Sequence, residues 1–543
     1  MIRIDRRQLI TTAAFGIGGL MLPGGAAMAQ MLNAARGFTH NVASGEPDTE
    51  SVLLWTRYVG ADASARMKAE VSATPDFAKV AGGAEVITGP WRDWTAKITV
   101  AGLLPGRRYY YRFIAPDGTV SPTGQTKTLG DDGVREARIA VFSCSNIGFG
   151  YFNAYGHAAA RADLDLWVHL GDYLYEANRG TYPDMKIALR PNEVVPPNEL
   201  VSLADYRMRY ASYRSDPDLQ ALHARHPMIA SPDDHETAND SWEGGAGAHQ
   251  ADEGPWLNRK AAAMQAYYEW LPIDETPWKT YQIGRLATFF RTETRTAARS
   301  KQFSMGSLMM GPDPEAALRA FAAGPWLDPA MTMMGTAQEH WLGRAVRQSV
   351  RAGTKWQVIG VGAPMGTAML PLTADSWLAR DARPVWHSRF KAAAIATRAG
   401  LPSNFDNWGG YPAARKRFLT MVQGAGANAV VLSGDSHNGW AYELPGERRA
   451  AAVEFSVPGV TPPGIDEATR GSDPRRVARD LVAGNTELKW ADTSQRGYMA
   501  LTLTPQAATN EWVFMDTVAT RSLKSAGMHR MRVKPGRAKL ETV

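Results

Sequence analysis

The chain has 543 residues, of which 44% are hydrophobic and 21% charged, and its 60 Lys and Arg against 54 Asp and Glu leave a formal charge of +6. This composition supplies a large packed core and excludes a protein that is disordered as its main state. The small charge excess argues against nucleic acid as a dedicated partner, and the single cysteine excludes an intrachain disulfide and a Cys-rich zinc module.

The first residues have the plan of an export signal. A charged start with the pair Arg6-Arg7 leads into a Gly/Ala-rich apolar run that closes with Ala27-Met28-Ala29. This order is typical of a signal peptide, and the paired arginines resemble the twin-arginine type, which exports folded proteins. The alternative, an amphipathic helix, is broken by Pro23. We predict a twin-arginine signal at residues 1–29, export by that machinery to the periplasm or medium, and no transmembrane anchor in the mature chain.

Residues 37–130 read as short strands separated by turns. Runs such as 51–55 and 109–113 alternate with Pro, Gly and Asp. The segment Leu103-Leu104-Pro105-Gly106-Arg107-Arg108-Tyr109 resembles the tyrosine corner of fibronectin type III domains, and an ordinary hairpin is the alternative. We predict a small N-terminal fibronectin type III-like β-sandwich that serves as a spacer or support, with polysaccharide binding as the rival role.

From residue 136 to residue 520 the pattern changes to apolar runs that end in polar clusters and alternate with helical segments. Strands are predicted at 138–143, 164–170, 356–361 and 429–432, and helices at 256–270, 338–352 and 411–422. This alternation predicts an α/β layered domain with its chemistry at the strand ends. Residues 178–205 and 303–335 are predicted insertions that cover a site. The basic residues 521–543 are predicted to be a solvated tail, with shielding of the pocket as the alternative.

Four short segments place polar side chains directly after apolar strands. They contain Cys144, then Asp172 with Tyr175, then Asp233-Asp234-His235-Glu236, and finally Asp435 with His437. Each segment alone has an ordinary explanation, such as a cap, a turn or a core residue. Together they predict a metal centre, because like charges converge only where cations neutralise them. A carboxylate such as Asp172 can bridge two cations, while a thiolate and a phenolate favour ferric iron over zinc.

The order and spacing of these motifs resemble PhoD-type alkaline phosphatases. The resemblance rests on segments 144–155, 169–176, 206–210, 215–220, 233–239 and 434–437, and on the opening at 42–57. It implies a calcineurin-like metallophosphoesterase, which is a layered sandwich of two mixed sheets flanked by helices. It also implies ferric iron and calcium as cofactors, and hydrolysis of phosphate esters by attack of a metal-bound hydroxide on phosphorus.

The resemblance also implies roles for individual residues. The iron ligands are Cys144, Asp172, Tyr175 and Asp435, and the calcium side has Asp234 and His437, with Asp172 bridging and Asn239 as a further candidate. His235 corresponds to the catalytic histidine that contacts phosphate and assists the leaving group. We predict that Glu236 orients the His235 ring. Three arginines are candidates to hold the substrate anion, namely Arg207, Arg291 and Arg295.

Three segments depart from the family pattern. Gly409 stands where an acid is expected, Asn485-Thr486-Glu487 replaces Asn-Pro-His, and Glu293 replaces an aspartate before Thr294-Arg295. We predict that positions 409 and 485–487 form pocket walls, so the substrate preference is open while the metal core is intact. The rival functions are a phosphodiesterase or phospholipase D-like enzyme on the same metals, and a phosphate-binding protein without turnover.

Overall fold

The computed structural model describes residues 25–380 and 382–543. The predicted export signal therefore lies outside the described residues, except for residues 25–29, which begin a helix that runs to Ala34. The signal and its cleavage point stay predictions. Within the described ranges, no helix is both long enough and apolar enough to cross a membrane.

The strands are numbered in chain order. They are β1 (Gly37–Gly45), β2 (Ser51–Val59), β3 (Ala65–Ser72), β4 (Val80–Thr88), β5 (Thr95–Ala101), β6 (Arg108–Ile114), β7 (Gly124–Lys127), β8 (Ala137–Phe142), β9 (Leu166–His169), β10 (Met228–Ala230), β11 (Lys279–Ile283), β12 (Ala287–Arg291), β13 (Trp356–Gly360), β14 (Ala429–Ser433), β15 (Gly439–Leu444), β16 (Ala452–Ser456), β17 (Leu488–Asp492), β18 (Gly497–Leu503), β19 (Ala508–Met515), β20 (Ser525–Val533) and β21 (Leu540–Thr542).

The α-helices of the described residues are numbered in the same way. They are α1 (Gly25–Ala34), α2 (Asn153–Ala160), α3 (Leu203–Arg214), α4 (Pro217–Arg225), α5 (Trp256–Trp270), α6 (Met305–Leu308), α7 (Pro314–Ala323), α8 (Gly335–Arg351), α9 (Pro384–Arg398), α10 (Pro412–Gly424) and α11 (Pro474–Gly484). The helices and strands predicted between residues 136 and 520 are all present, with ends that shift by a few residues.

Two large sheets face each other across the centre of the molecule. One has the order β21-β20-β19-β18-β8-β9-β10-β1-β2-β5, and the other has the order β11-β12-β13-β14-β16-β15-β17. Alternate side chains of the facing strands, such as Val141, Val168, Val358 and Val430, form the buried core between them. The opposite faces bury their side chains against helices, α2 to α5 on the first sheet and α8, α10 and α11 on the second. The predicted layered α/β sandwich is confirmed.

The predicted N-terminal sandwich is also confirmed, but one of its layers is shared. A four-stranded sheet of order β4-β3-β6-β7 packs on β1, β2 and β5 through residues such as Val42, Val71 and Tyr111. Because β1 pairs with β10 at Gly45 and Met228, those three strands continue the ten-stranded sheet. The tyrosine corner is present, since the Leu104 N–H donates to the Tyr109 hydroxyl at 2.9 Å. The domain limits 37–130 and 136–520 stay predictions.

The prediction of a solvated C-terminal tail is wrong. Strand β20 pairs with β19 along its length, and β21 pairs with β20, so both belong to the large sheet. Buried apolar and more exposed basic residues alternate in β20, and the number of basic residues hides this strand pattern in the sequence. Met531 and Val533 are buried on one face, while Arg530 pairs with Glu511 at 2.6 Å on the other.

Lys97 of β5 gives the protein a testable pH dependence of stability. Its Nζ donates to the carbonyl oxygens of Tyr268 at 2.5 Å and Ile273 at 2.7 Å. Burial, with a smaller effect of Arg92, lowers the pKa of Lys97 from 10.5 to about 8. The unfolded chain therefore holds this proton to higher pH, so the free energy of unfolding gains a contribution that rises between about pH 8 and 10.5.

Replacing Lys97 by methionine removes this titration. We expect the free energy of unfolding, measured by urea denaturation across that pH range, to rise less steeply in Lys97→Met than in the parent. Other groups titrate equally in both proteins, so the difference in slope isolates Lys97. Equal slopes would show that the amine keeps its ordinary pKa in the folded protein.

Candidate metal centre

The predicted metal ligands lie on loops that follow parallel strands. Cys144 follows β8, Asp172 follows β9 and Asp234 follows β10, while Asp435 and His437 follow β14 of the facing sheet. Four of the five, all except Asp234, have φ angles between 57° and 62°. This left-handed conformation is costly for residues with side chains and concentrates at functional sites. The loops thus converge on one point from both sheets.

Gly171 lets the loops after β9 and β10 approach each other. Its φ is +106°, and a Cβ at this position would lie 2.3 Å from the Cβ of Asp233. The carboxylate of Glu236 then joins the two loops. It accepts hydrogen bonds from the backbone N–H groups of Asp172 at 3.0 Å, Tyr173 at 2.6 Å and Asp233 at 2.7 Å. The prediction that Glu236 orients the His235 ring is wrong, because these three amides occupy its carboxylate.

Glu176 is the residue that orients His235. The Nδ1 atom of His235 lies 2.6 Å from the Glu176 carboxylate, whose other oxygen accepts from the backbone N–H of Asn239 at 2.6 Å. Burial would lower the pKa of His235, but the carboxylates of Glu176, Asp234 and Asp172 raise it well above its ordinary value. With Nδ1 held by Glu176, Nε2 is the ring atom left to donate a proton elsewhere. Sequence reasoning missed Glu176, although it ends the 169–176 motif.

One group of ligands combines sulfur, phenol, imidazole and carboxylate. The ligand atoms of Cys144, Asp172 and His437 lie within 4.8 Å of one another. The Tyr175 hydroxyl is 3.0 Å from Asp172 Oδ2 and 3.1 Å from His437 Nε2. The Pro463 carbonyl can only accept, so His437 Nδ1 donates to it at 2.8 Å. The lone pair of Nε2 is then available to bind a cation.

A second group consists of carboxylates. The ligand atoms of Asp233, Asp234 and Asp435 lie within 4.8 Å of one another, and Asp172 forms a further group with Asp234 and His235. The structure thus brings the predicted ligands other than Asn239 together but divides them differently. His437 lies with Cys144 and faces Tyr175 through Nε2, and Asp435 lies with Asp234. The resemblance instead places Asp435 on the iron side and His437 on the calcium side, so the metal that each would bind stays a prediction.

These residues fit metal cations. Asp172 Oδ1 is buried and has no hydrogen-bond partner in the described chain, so one ligand atom of the central carboxylate is free. Burial raises the pKa of Asp172 well above its ordinary value, and burial together with Asp172 does the same for Cys144. A cation between them would compensate the buried anions that burial alone disfavours.

Two of the arginines predicted to hold substrate are engaged elsewhere. Arg207 on α3 forms an ion pair with Glu269 at 2.6 Å and donates to the Trp91 carbonyl at 2.9 Å. Arg291 pairs with Glu46 at 2.6 Å. Both side chains therefore join the catalytic layers to the N-terminal sandwich, and the prediction that they bind substrate is wrong.

Arg295 does lie at the centre, but it contacts the protein's own carboxylates. Its side chain is fully buried, and its Nε donates to Asp233 Oδ1 at 2.6 Å. Its Nη2 is 3.8 Å from Asp234 and 3.5 Å from Asp435. This environment raises the pKa of Arg295 well above its ordinary value, although burial opposes it. The guanidinium acts as an internal counter-charge and not as the predicted substrate contact.

Two of the three segments that depart from the family pattern line one cavity. Its volume is about 420 Å³, and its walls include Gly409, the segment 485–487, Trp326 and Trp408. Arg415 pairs with Glu487 at this wall. Positions 409 and 485–487 thus share a cavity wall, and their contact with substrate stays a prediction because no candidate metal ligand in the described part of the chain lines this cavity.

Two facing mixed sheets whose strand-end loops bring together two groups of potential metal ligands are the arrangement expected of a metal-dependent phosphoesterase of the layered-sandwich class. Comparison with known families agrees. The PhoD-like phosphatase family matches residues 139–512, and the PhoD-like phosphatase N-terminal domain matches residues 25–130. The chain belongs to the PhoD-like phosphatase family and is a phosphoric ester hydrolase of the alkaline phosphatase D type.

Two relatives illustrate this membership. The chain is 30% identical over 531 residues to alkaline phosphatase D of Bacillus subtilis (strain 168), a match that covers 92% of this chain and 82% of the relative. The solved structure of PhoD is similar with a TM-score of 0.77 at 27% identity, covering 94% of this chain and 92% of that chain. The similarity therefore extends over both the N-terminal sandwich and the catalytic layers.

Proposed function

We propose that this protein hydrolyses phosphate esters at a centre that holds ferric iron and calcium. The observation that carries the proposal is the chemical division of the ligands into two groups. Thiolate, phenolate and imidazole suit a highly charged transition metal, whereas a set of carboxylates suits calcium. The free Oδ1 of Asp172, at the junction of the two groups, supports a bridging role for this carboxylate.

The ligands are assigned from these contacts. Cys144, Tyr175 and His437 would hold iron, Asp234 and Asp435 would hold calcium, and Asp172 would bridge. Asn239 is a further calcium candidate, since its backbone lies against Glu176 beside the centre. When bound, the two cations supply positive charge for the phosphoryl oxygens and lower the pKa of water.

The chain itself supplies the proton for the leaving group. His235 is held through Nδ1 by Glu176, a carboxylate that favours the protonated ring, so Nε2 can donate to the departing ester oxygen. Arg295 keeps Asp233, Asp234 and Asp435 close together by offsetting their mutual repulsion. These groups are fixed before substrate arrives, which favours stabilisation of the transition state.

The export route belongs to the same proposal. The Arg6-Arg7 start supports export by the twin-arginine machinery, and that route carries folded proteins. We infer a periplasmic or secreted enzyme whose metals are loaded before export. Fractionation of cells that express the chain, compared with an Arg6→Lys, Arg7→Lys variant, tests this location.

The metal assignment is tested by spectroscopy. The protein without residues 1–29, purified without chelator, is expected to contain about one iron per chain and calcium, and to show a phenolate-to-iron absorption band in the visible range. Tyr175→Phe should remove the band. Tyr182→Phe is the matched control, because its hydroxyl lies 3.5 Å from His437 Nδ1, on the side of the ring away from the ligand nitrogen. A protein without iron, or a band that persists in Tyr175→Phe, would contradict the assignment.

The reaction is tested on the same preparation. Rates on nitrophenyl phosphate and bis(nitrophenyl) phosphate distinguish the monoesterase from the rival diesterase. Hydrolysis of both esters should disappear when iron and calcium are removed and should return when they are restored. Turnover that is unaffected by metal removal would contradict the proposed function.

A further inference from the structure

We propose that Asp406 is a positioning residue of the metal centre. It anchors Arg295 between the carboxylates of the calcium side and thereby sets how tightly the centre holds calcium. This inference rests on the proposed function, because it concerns the same metal centre. Asp406 lies in the segment between α9 and α10, outside the four segments that carry the predicted ligands.

Asp406 lies between two buried arginines. Its Oδ2 accepts from Arg295 Nη1 at 2.6 Å, and its Oδ1 accepts from Arg299 Nη2 at 2.6 Å. Both arginine side chains are 0% exposed, and that of Asp406 is 10% exposed. Asp406 also lies close to Asp234 and Asp240. Since each of its oxygens accepts a hydrogen bond from a guanidinium group, we assign Asp406 the role of an anchor for these arginines.

The other side of the Arg295 guanidinium reaches the centre. Nε and Nη2 donate to the two oxygens of Asp233 at 2.6 and 3.1 Å. Nη2 also approaches Asp234 at 3.8 Å and Asp435 at 3.5 Å. Because the guanidinium is planar and rigid, contacts at its two ends fix its position. Asp406 holds the Nη1 end of the guanidinium, and Asp233 holds the edge formed by Nε and Nη2.

The distances to Asp234 and Asp435 are long for ion pairs, and this has a consequence for the metal. At these distances Arg295 offsets repulsion between the two carboxylates without capturing their oxygens in short hydrogen bonds. Without the charge of Asp406, only Asp233 still holds the guanidinium, which can then shift toward Asp234 or Asp435. It would then compete with calcium for the same oxygens, so the affinity for calcium should fall.

The position of Asp406 is itself supported by packing. Its neighbour Phe405 belongs to a buried cluster with Leu318 and Phe321 of α7. On the other side, the Tyr411 hydroxyl accepts from Arg299 Nε at 3.0 Å. The predicted insertion at 303–335 thus contributes helix α7, which packs against the segment that carries Asp406. The sequence had predicted that this insertion covers a site.

The test measures calcium retention. We expect Asp406→Asn to lose half of its calcium, measured by elemental analysis after desalting, at a concentration of the chelator EGTA about tenfold or more below that of the parent. Because the single variant leaves Arg299 buried without a counter-charge, it is paired with Asp406→Asn/Arg299→Gln, which removes both charges. The double variant should unfold nearer to the parent's temperature in the metal-free state, yet show the same lowered chelator midpoint.

Asp216→Asn is the matched control. Asp216 is also a buried carboxylate between two arginines, 3.0 Å from Arg190 and 3.3 Å from Arg521, but it caps α4 and has no contact with the ligands. It should lower the unfolding temperature and leave the chelator midpoint within about twofold of the parent.

The possible results separate this inference from the proposed function. A parent protein that holds no calcium or hydrolyses no phosphate ester refutes the proposed function. A parent that does both, with a double variant whose chelator midpoint equals that of the parent, refutes the role of Asp406 alone. An equal fall of the midpoint in Asp216→Asn also overturns the inference, since it would make calcium loss a general effect of breaking a buried Arg–Asp–Arg arrangement.

Discussion

Replacing Asp172 by asparagine is expected to lower kcat/KM for phosphate ester hydrolysis at least about 10³-fold, which corresponds to roughly 4 kcal/mol. Asp172 is the carboxylate that lies close to both ligand groups, with Cys144 and His437 on one side and Asp234 on the other. Asparagine keeps the shape but removes the charge, and its amide nitrogen cannot bind a cation. We therefore expect the variant to lose metal from both positions.

Metal-free stability should change in the opposite direction. Burial disfavours the Asp172 carboxylate, and one of its oxygens has no partner, so a neutral amide costs less at this place. Thermal unfolding in chelator should show Asp172→Asn at least as stable as the parent, whereas with metals only the parent should gain stability. Asp93→Asn, which removes a carboxylate paired with Arg57 at 2.8 Å in the N-terminal sandwich, is the control. A variant that keeps both metals and a tenth or more of the activity would contradict the bridging role.

The ligand set was predictable because each member lies a few residues after an apolar strand. Parallel strands deliver their carboxyl ends to the same edge, so Cys144, Asp172 and Asp234 had to meet. The grouping of these side chains in space was not predictable. Asp435 and His437 are two residues apart, and both have left-handed φ angles, so the directions of their side chains depend on turns that no periodicity encodes. In the structure, the contact of His437 with Tyr175 is what places it beside Cys144.

The partners of buried charges were equally beyond the sequence. Glu176 and His235, or Arg295 and Asp406, meet only after the chain has folded, and neither pair leaves a local pattern. A local pattern was also missed near the C-terminus. The basic residues there hid the period-two alternation of β20, so this strand was predicted to be a solvated tail. The pairing of β1 with β10 is another long-range contact, and it joins the two predicted domains in one sheet. Periodicity predicts elements, whereas the long-range contacts between them need the structure.

Replacing His235 by asparagine should slow the hydrolysis of esters with poor leaving groups by about 10² to 10⁴-fold. The ring is placed by Glu176 through Nδ1, and it packs on Tyr175 with ring centroids 4.1 Å apart, so Nε2 has a fixed direction. An alkoxide leaves only with a proton, whereas nitrophenolate leaves without one. The loss should therefore be small for nitrophenyl phosphate and large for alkyl phosphates.

A series of aryl and alkyl phosphates makes this prediction measurable. The slope of log kcat against the pKa of the leaving group should become more negative in His235→Asn, and in Glu176→Gln to a smaller extent, because that variant loses only the orientation of the ring. Metal content should be unchanged in both. His157→Gln is the control, since His157 is half-buried and bonds to the Tyr498 hydroxyl at 2.8 Å on the outer face of the large sheet. Parallel slopes for His235→Asn and the parent would mean that the proton reaches the leaving group by another route.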